Sequence, residues 1–175
     1  MCSSDLSKAL TGLAELHRAE GELDKAQPLY EEALALSRER GDGGGISVNL
    51  VNLASTSISL GLGDRARGMV REGFAIAEEI GSKRAGVAGL ECTVGLAAFF
   101  SAWECAARLY GATEALSEQM GYQREPVDEA FLAPLIRRTR EALGAAAFAA
   151  AESAGRLLSY DEAIEEARSW LEQRS

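Results

Sequence analysis

The side chains that could do acid–base or nucleophilic chemistry are few in this sequence, and they stand at no recognised catalytic spacing. His17 is the single histidine, and no Ser, Cys or paired acid accompanies it in a fixed motif. Its place in a helical apolar pattern predicts packing instead of catalysis. Adjacent acids do not converge either, because neighbours on a helix point about 100° apart. We interpret three such pairs as solvated helix faces: Glu31 with Glu32, Glu78 with Glu79, and Glu165 with Glu166.

The glycines and cysteines do not form a recognised binding or catalytic motif either. The stretch GDGGG at residues 41–45 lacks the Lys and Ser/Thr of a phosphate-binding P-loop, so we predict a flexible link. Cys2, Cys92 and Cys105 form no CxxC pair, and one is left over from any disulfide. With one histidine in the chain, a Cys/His zinc site is not expected. The sequence therefore predicts no metal, no cofactor and no enzyme activity, with the thiols reduced as in a cytosolic protein.

The charge balance restricts the partners. The formal net charge is −9, and nucleic-acid affinity depends on Lys and Arg that neutralise phosphates, so we expect no direct nucleic-acid binding. Anionic membrane surfaces are disfavoured for the same reason. The first residues, MCSSDLSKAL, are too polar for a signal peptide, and no apolar run reaches the roughly 18 residues of a membrane span. These features predict a cytoplasmic location.

An internal repeat organises most of the chain. Several residue types recur at an offset of forty in the same order, which indicates three repeats. They include Ala26, Ala66 and Ala106, then Gly41, Gly81 and Gly121, and also Leu10, Leu50 and Leu90. The repeats span about residues 5–41, 45–81 and 84–121.

Each repeat carries two helical apolar stripes separated by a break at Gly21, Gly61 or Ser101. We therefore predict an all-α fold of three antiparallel helix pairs. The alanines at the forty-residue spacing are small enough to lie where two helices cross, and Tyr30 is expected to fill the space between one pair and the next.

The repeat ends after Gly121. Residues 122–175 contain a link, further helical patterns and a capping box in which Ser159 and Glu162 satisfy each other's backbone amides. A repeat array must end its core with a different, more polar face. We interpret residues 122–175 as capping helices that belong to the same domain as the helix pairs at 1–121.

The order of small and aromatic residues resembles the tetratricopeptide (TPR) repeat. The family's pattern falls in the first repeat on Leu13, Ala14, His17, Gly21, Ala26, Tyr30 and Ala33, and in the second repeat on Leu53, Ala54, Gly61, Ala66 and Gly73. The resemblance implies a superhelix whose first helices line a concave groove for a protein or peptide. The groove positions it implies are Lys8, Thr11, Glu15, Arg18, Val48, Val51, Asn52, Ser55 and Glu91. Among the residues of a peptide-carboxylate clamp only Asn52 is present, so that binding mode is not expected.

The segments ECAARLYGATEAL and REALGAAAFAAAESAGRLLSYDEAIEEA are more specific. They resemble the C-terminal tails of large bacterial regulators of the LuxR type, in which a P-loop ATPase module precedes a TPR-like tail. The resemblance implies a scaffolding module for signal transduction or transcriptional regulation. The chain contains no GxxxxGK[ST] loop and no basic recognition helix, so ATPase and DNA-binding activities are not carried over. A small-molecule sensor with its pocket in the groove is the alternative.

The first predicted helix raises a separate expectation. Leu6, Leu10 and Leu13 lie on one stripe, of which the second helix of the same pair covers only part. Exposed apolar patches of this kind favour association. We predict that the chain is a fragment of a longer array or associates with itself through its first helix pair.

Overall fold

The computed structural model describes residues 3–173, and these residues form nine α-helices and no strand. Cys2, one of the three predicted thiols, lies outside this range. The all-α TPR-like expectation is confirmed. The helices are α1 (Ser3–Ala19), α2 (Leu23–Glu39), α3 (Gly43–Ser59), α4 (Gly63–Glu79), α5 (Lys83–Phe99), α6 (Trp103–Met120), α7 (Pro126–Leu143), α8 (Ala145–Gly155) and α9 (Tyr160–Gln173).

The contacts divide the chain into two compact units, of which the first ends at Ala85 and the second begins at Gly86. Unit one consists of the helix pairs α1/α2 and α3/α4. Unit two contains the pair α5/α6 followed by α7, α8 and α9. The prediction of one domain, divided at residue 121 into helix pairs and cap, stays a prediction. None of the helices in the described range is long and apolar enough to cross a membrane.

The turns inside the helix pairs follow the predicted breaks. Gly21 and Gly61 have φ angles of 78° and 80°, in the left-handed region that glycine adopts without Cβ strain. In the third pair Ser101 takes the same conformation with φ of 61°, and it is the one non-glycine residue with positive φ in the described part of the chain. The three repeats therefore share the backbone geometry of this turn, although the residue at the turn differs in the third repeat. The serine there carries backbone strain.

The cores of the helix pairs match the predicted crossings. Ala26, Ala66 and Ala106 are fully buried. Tyr30 is also fully buried and belongs to the cluster that joins α2 to Leu50 and Leu53 of α3. Each first helix is thus held by its own second helix and, in α3, also by the second helix of the preceding pair.

The glycine-rich stretch differs from expectation. The flexible link predicted at 41–45 is wrong for Gly43, Gly44 and Gly45, which form the first turn of α3. The Asp42 carboxylate caps this turn by accepting from the Gly45 amide at 3.0 Å. A Cβ on Gly45 would lie 2.7 Å from Ser37 Oγ, so this glycine serves close packing.

Unit two packs its last three helices around α5 and α6. Leu135 of α7 and Trp170 of α9 lie against a cluster that contains Ala97 and Ala106. The predicted capping box opens α9: the Ser159 amide donates to Glu162 Oε2 at 2.8 Å, and the Glu162 amide donates to Ser159 Oγ at 3.3 Å. Helices α7, α8 and α9 therefore pack on the third pair, and their role as a cap stays a prediction.

Two glycines allow α6 and α8 of unit two to pack with their backbones in contact. A Cβ on Gly111 would meet the Glu152 carbonyl oxygen at 2.0 Å, and a Cβ on Gly155 would meet that of Arg108 at 1.7 Å. Backbone touches backbone here, which only glycine at both positions permits. The small-residue sequence of α8 has a packing role.

Candidate functional site

A cavity of unit one lies between the first helices of its two pairs, and we refer to it as the α1/α3 groove. Its volume is about 570 Å³. Four of the predicted groove residues line it, namely Lys8, Thr11, Glu15 and Val48. The remaining lining residues are Ser7, Gly12, Arg40, Asp42, Gly44, Gly45 and Asn49.

The floor of the groove is a set of hydrogen bonds between α1 and α3. The Thr11 hydroxyl donates to Asn49 Oδ1 at 3.0 Å, and Asn49 Nδ2 donates to the Gly45 carbonyl at 2.9 Å. Asn49 is 2% exposed, and both the oxygen and the nitrogen of its amide have a hydrogen-bond partner. The floor is therefore a rigid polar surface whose hydrogen-bond groups are already satisfied.

A second polar set joins α1 and α3 through residues of which only Glu15 lines the cavity. The buried guanidinium of Arg18 donates to Asn52 Oδ1 at 3.3 Å, and Asn52 Nδ2 lies 3.5 Å from Glu15 Oε1. Ser55 is buried as well, and its hydroxyl bonds to the carbonyls of Val51 and Asn52 within its own helix. The predicted groove residues Arg18, Val51, Asn52 and Ser55 therefore do not line the cavity, and Arg18 and Asn52 instead join α1 to α3.

Three side chains on the rim are available to a ligand. Lys8 and Arg40 are exposed, and neither forms an ion pair with the described residues. Val48 is a large apolar side chain with 50% of its surface exposed. Two uncommitted cations beside an exposed apolar side chain suit a ligand that combines an acidic group with an apolar one.

Glu91, the last of the predicted groove residues, lies in unit two in a different setting. Its carboxylate accepts from Arg124 Nε at 2.8 Å, and both side chains are about one-tenth exposed (10% and 11%). Arg124 also bonds Glu114 and Glu129, each at 2.7 Å. One guanidinium in the link between α6 and α7 thus joins α5, α6 and α7. We refer to these four residues as the Arg124 cluster.

The cluster has an unusual balance of charge and burial. Burial raises the pKa of Glu91 to about 7, and this effect exceeds the opposing attraction of Arg124. Asp128 and Glu114 raise it further through repulsion. Despite the burial that opposes its charge, Arg124 has a raised pKa because Glu91, Glu114 and Glu129 surround it. Glu91 was predicted as a groove residue, whereas Arg124, Glu114 and Glu129 were not predicted, and their one signal in the sequence was the single Arg in the link YQREP, with acids on both sides.

A smaller cavity of about 230 Å³ borders the Arg124 cluster on the α7 side. Leu132 and Ile136 are its buried apolar residues, and Arg137 and Arg140 stand on its exposed edge. Arg140 is held over the ring of Phe148, 4.4 Å from its centroid. Its charged lining consists of Arg124 and Glu129, which already pair with each other at 2.7 Å, and of the two arginines at the edge.

His17 lies at the end of α1, half-buried, and its Nδ1 is 2.7 Å from Glu22 Oε2. The hydrogen bonds from Lys25 and then from His17 lower the pKa of Glu22. Potential ligand atoms of His17, Glu20 and Glu22 lie within 4.8 Å of one another. Glu22 is already paired with Lys25 at 2.7 Å, and we assign the group no metal role.

The acidic neighbours predicted as solvated faces have separate surroundings. Glu31 pairs with Arg65 of α4, whereas Glu166 pairs with Arg108 of α6 at 2.9 Å. Cys92 is buried and Cys105 half-buried, and neither is in a disulfide.

The comparisons with known proteins agree with this architecture. The tetratricopeptide repeat family model matches residues 5–85, which include both helix pairs of unit one. No curated protein and no solved structure matches the chain. The chain therefore contains a TPR-like repeat array within an all-α fold, and repeats of this family generally mediate protein–protein interaction.

Proposed function

We propose that this chain is a non-catalytic interaction module that binds a protein or peptide in the α1/α3 groove. The observation that carries the proposal is the groove of about 570 Å³ whose floor is internally satisfied while its rim offers Lys8, Arg40 and the exposed side chain of Val48. A satisfied floor has little to gain from a ligand's polar groups. Recognition is then by shape, one apolar contact and charge at the rim.

The chemistry of the rim specifies the partner segment. An apolar side chain of the partner packs on Val48, and an acidic side chain lies near Lys8 and Arg40. Glu15 and Asp42 stand on the same groove, so a segment of several successive acids is repelled. The proposed partner is a mainly apolar segment, extended or helical, with a single acidic residue.

The biological setting that we propose is the TPR-like tail of a cytoplasmic bacterial regulator of signalling or transcription. The support for it is the sequence resemblance in ECAARLYGATEAL and in the small-residue helix before Ser159. The absence of a P-loop in this chain assigns any ATPase step to another part of such a regulator. Reading the gene's neighbourhood tests this, and a reading frame with no ATPase or receiver domain nearby would contradict it.

The binding test uses a displayed random-peptide library selected on the purified chain. Selected peptides are expected to lose about tenfold in affinity with Lys8→Glu, because one charge-assisted contact is reversed. Arg71→Glu is the matched control, since Arg71 is an exposed arginine on α4 in the same unit and away from the groove. Val48→Lys should weaken the same peptides through the lost apolar contact.

Two outcomes of this experiment contradict the proposal. Peptides whose affinity is equally insensitive to Lys8→Glu and Val48→Lys bind elsewhere. A library that yields no binder, combined with a metabolite whose thermal-shift response disappears in the Val48→Lys variant, would support the small-molecule alternative instead.

We also propose that the first helix pair provides a second contact surface, through which the chain associates with itself. Leu13 and Leu16 of α1 are 45% and 63% exposed, and Leu6 and Leu10 are half-buried. Sedimentation over a concentration series measures this association independently of the groove.

A further inference from the structure

Equivalent helices in the two repeats of unit one provide an internal reference for which surface of α1 is open. On the side that faces the partner helix of the same pair, matched positions are equally buried. Ser7 is 4% exposed and Ser47 3%, while Ala14 and Ala54 are both fully buried. The two helices therefore sit alike on their own second helices.

The opposite face differs strongly between the same two helices. Leu13 is 45% exposed, whereas Leu53, its equivalent forty residues later, is 1% exposed. Leu16 is 63% exposed, whereas Thr56 is fully buried. In α3 this face is covered by α2, whose Tyr30 belongs to the same core cluster as Leu53. The open face of α1 is thus a surface to which the fold elsewhere docks a helix.

The residues along this face are arranged in a coiled-coil pattern. Leu6, Ala9, Leu13 and Leu16 are spaced by three, four and three residues, which are the a and d positions of two heptads. The pattern is nearly symmetric about residue 11. When a copy of the helix is laid antiparallel across it, Leu6 stands opposite Leu16 of the second copy and Ala9 opposite Leu13 of the second copy.

We propose that the occupant of this face is a second copy of the chain, bound through an antiparallel pair of α1 helices on a two-fold axis. The proposal names the partner for the self-association included in the proposed function and rests on it. Each layer of the pair contains at least one leucine, and every leucine of one copy meets an apolar residue of the other. An isologous interface requires a self-complementary surface of this kind.

The flanks of the stripe fit the same arrangement. On one side Gly12, which also lines the α1/α3 groove, lies next to the axis and faces Gly12 of the second copy. A Cβ there would meet nothing within 4 Å in the chain itself, so the backbones have room to approach. On the other side Leu10 meets Leu10 of the second copy. Asp5 stands opposite Ala19 of the second copy, so no like charges are brought together.

Sedimentation equilibrium of the full chain over a wide concentration range is the first test. The wild type is expected to dimerise, and Leu13→Glu and Leu16→Glu each to raise the dimer Kd by about tenfold or more, because a carboxylate enters an apolar seam. Leu157→Glu is the control, since Leu157 is 86% exposed and lies in unit two. A wild type that stays monomeric, or a dimer unaffected by both α1 variants, overturns the proposal.

Cysteine cross-linking tests the orientation, in a background where Cys2, Cys92 and Cys105 are replaced by Ala. Gly12→Cys is expected to form a disulfide dimer readily, because the two residues face each other next to the axis. Asp5→Cys is expected to remain reduced, since its counterpart lies at the far end of the antiparallel pair. Efficient Asp5→Cys cross-linking would show a parallel pair and overturn the antiparallel arrangement.

The groove proposal and the dimer proposal fail separately. A Leu16→Glu variant that is monomeric but keeps full affinity for the selected peptides leaves the groove function intact. Loss of peptide affinity in that variant, with circular dichroism unchanged, would show that the binding site is the dimer and not the α1/α3 groove.

Discussion

The same repeat position serves two purposes in the two units. Thr11 of α1 and Glu91 of α5 are separated by two repeat lengths. Thr11 is half-buried and bonds Asn49 on the floor of an open groove. Glu91 is 7% exposed and is bound by Arg124 from the link that leads into α7. A position that lines an open groove in one unit is, in the other, part of an ion-pair cluster closed by the following helices.

The comparison shows how a helical repeat can be ended without changing its helices. In unit two the closing elements supply Arg124, and the repeat position supplies the acid that it binds. A buried pair of this kind is costly to desolvate and strongly coupled to both partners. Unit one has the uncharged Thr11 at the corresponding position, and the surface around it stays accessible. The two tryptophans, Trp103 and Trp170, both lie in unit two, so their fluorescence follows its unfolding while circular dichroism follows both units.

Removal of Arg124 is expected to have the largest effect on the difference between the ion-pair cluster of unit two and the open groove of unit one. In Arg124→Ala, Glu91 must stay charged without its cation or take up a proton, so at pH 8, above the Glu91 pKa of about 7, we expect a loss of about 3–5 kcal/mol from the free energy of unfolding of unit two. Tryptophan fluorescence in a urea series measures it. Arg71→Ala, an exposed arginine in unit one, should leave this transition unchanged. A shift of under about 1 kcal/mol would show that the cluster is solvated in solution.

The pH dependence of unit two sharpens the comparison. The pKa of Glu91 is about 7 in the folded chain against a reference of 4.5, so the folded state binds more protons between these values. Stability from this group therefore rises as the pH falls from about 8 towards 4.5, by up to about 3 kcal/mol. The charged groups around it are Arg124, Glu114 and Asp128.

Glu91→Gln removes the titrating group and keeps its shape. The difference between wild type and variant, followed by tryptophan fluorescence at several pH values, isolates the contribution of Glu91. It should be largest above pH 7 and vanish near the reference pKa. A difference that does not change with pH would exclude the raised pKa.

Overpacking of a helix crossing tests unit one alone. Ala66 is fully buried between α3 and α4, and Ala66→Leu should cost about 1–3 kcal/mol because the crossing has no room for the extra methylenes. The loss should appear in the circular dichroism of unit one, while the fluorescence transition of unit two stays in place. An unchanged urea midpoint would place Ala66 outside the crossing. Coupled shifts of both signals would show that the units unfold together.

The smallest expected effect concerns the third turn. Ser101 holds a φ of 61°, whereas glycines occupy the equivalent turns of unit one. Ser101→Gly should stabilise unit two by about 0.5–1 kcal/mol, because the left-handed strain of the serine is removed. The reverse exchange, Gly61→Ser, should destabilise unit one by a similar amount. If Ser101→Gly does not stabilise unit two and Gly61→Ser stabilises unit one, side-chain contacts and not backbone strain determine the stability of these turns.

Much of the fold was predictable because it is local and repeated. The breaks at Gly21 and Gly61, the small residues at Ala26 and Ala66, and the box at Ser159 each depend on residues within a few positions of one another. The GDGGG stretch misled because glycine propensity indicates a link. The Asp42 cap and the tight contact with Ser37 convert it into a helix start.

The candidate groove was only partly predictable. Repeat positions indicated Lys8, Thr11, Glu15 and Val48, which line the observed cavity. The assignment of the whole set to partner binding stays a prediction. Arg40 was not indicated because it enters the groove from the turn after α2, and Asn49 was not indicated because its position is not among those that the resemblance implies for α3. No spacing in one sequence shows that Arg124 meets Glu91, a residue 33 positions earlier.

The sequence by itself determined the period, the helix pairs and the turns, since these follow from side-chain size and backbone preference at fixed spacings. Only the tertiary structure decided which face of each first helix is covered, which polar groups satisfy one another, and where charge is buried. Those outcomes depend on which helices pack against a given face, and identical repeat positions become groove, core or ion pair according to that neighbour.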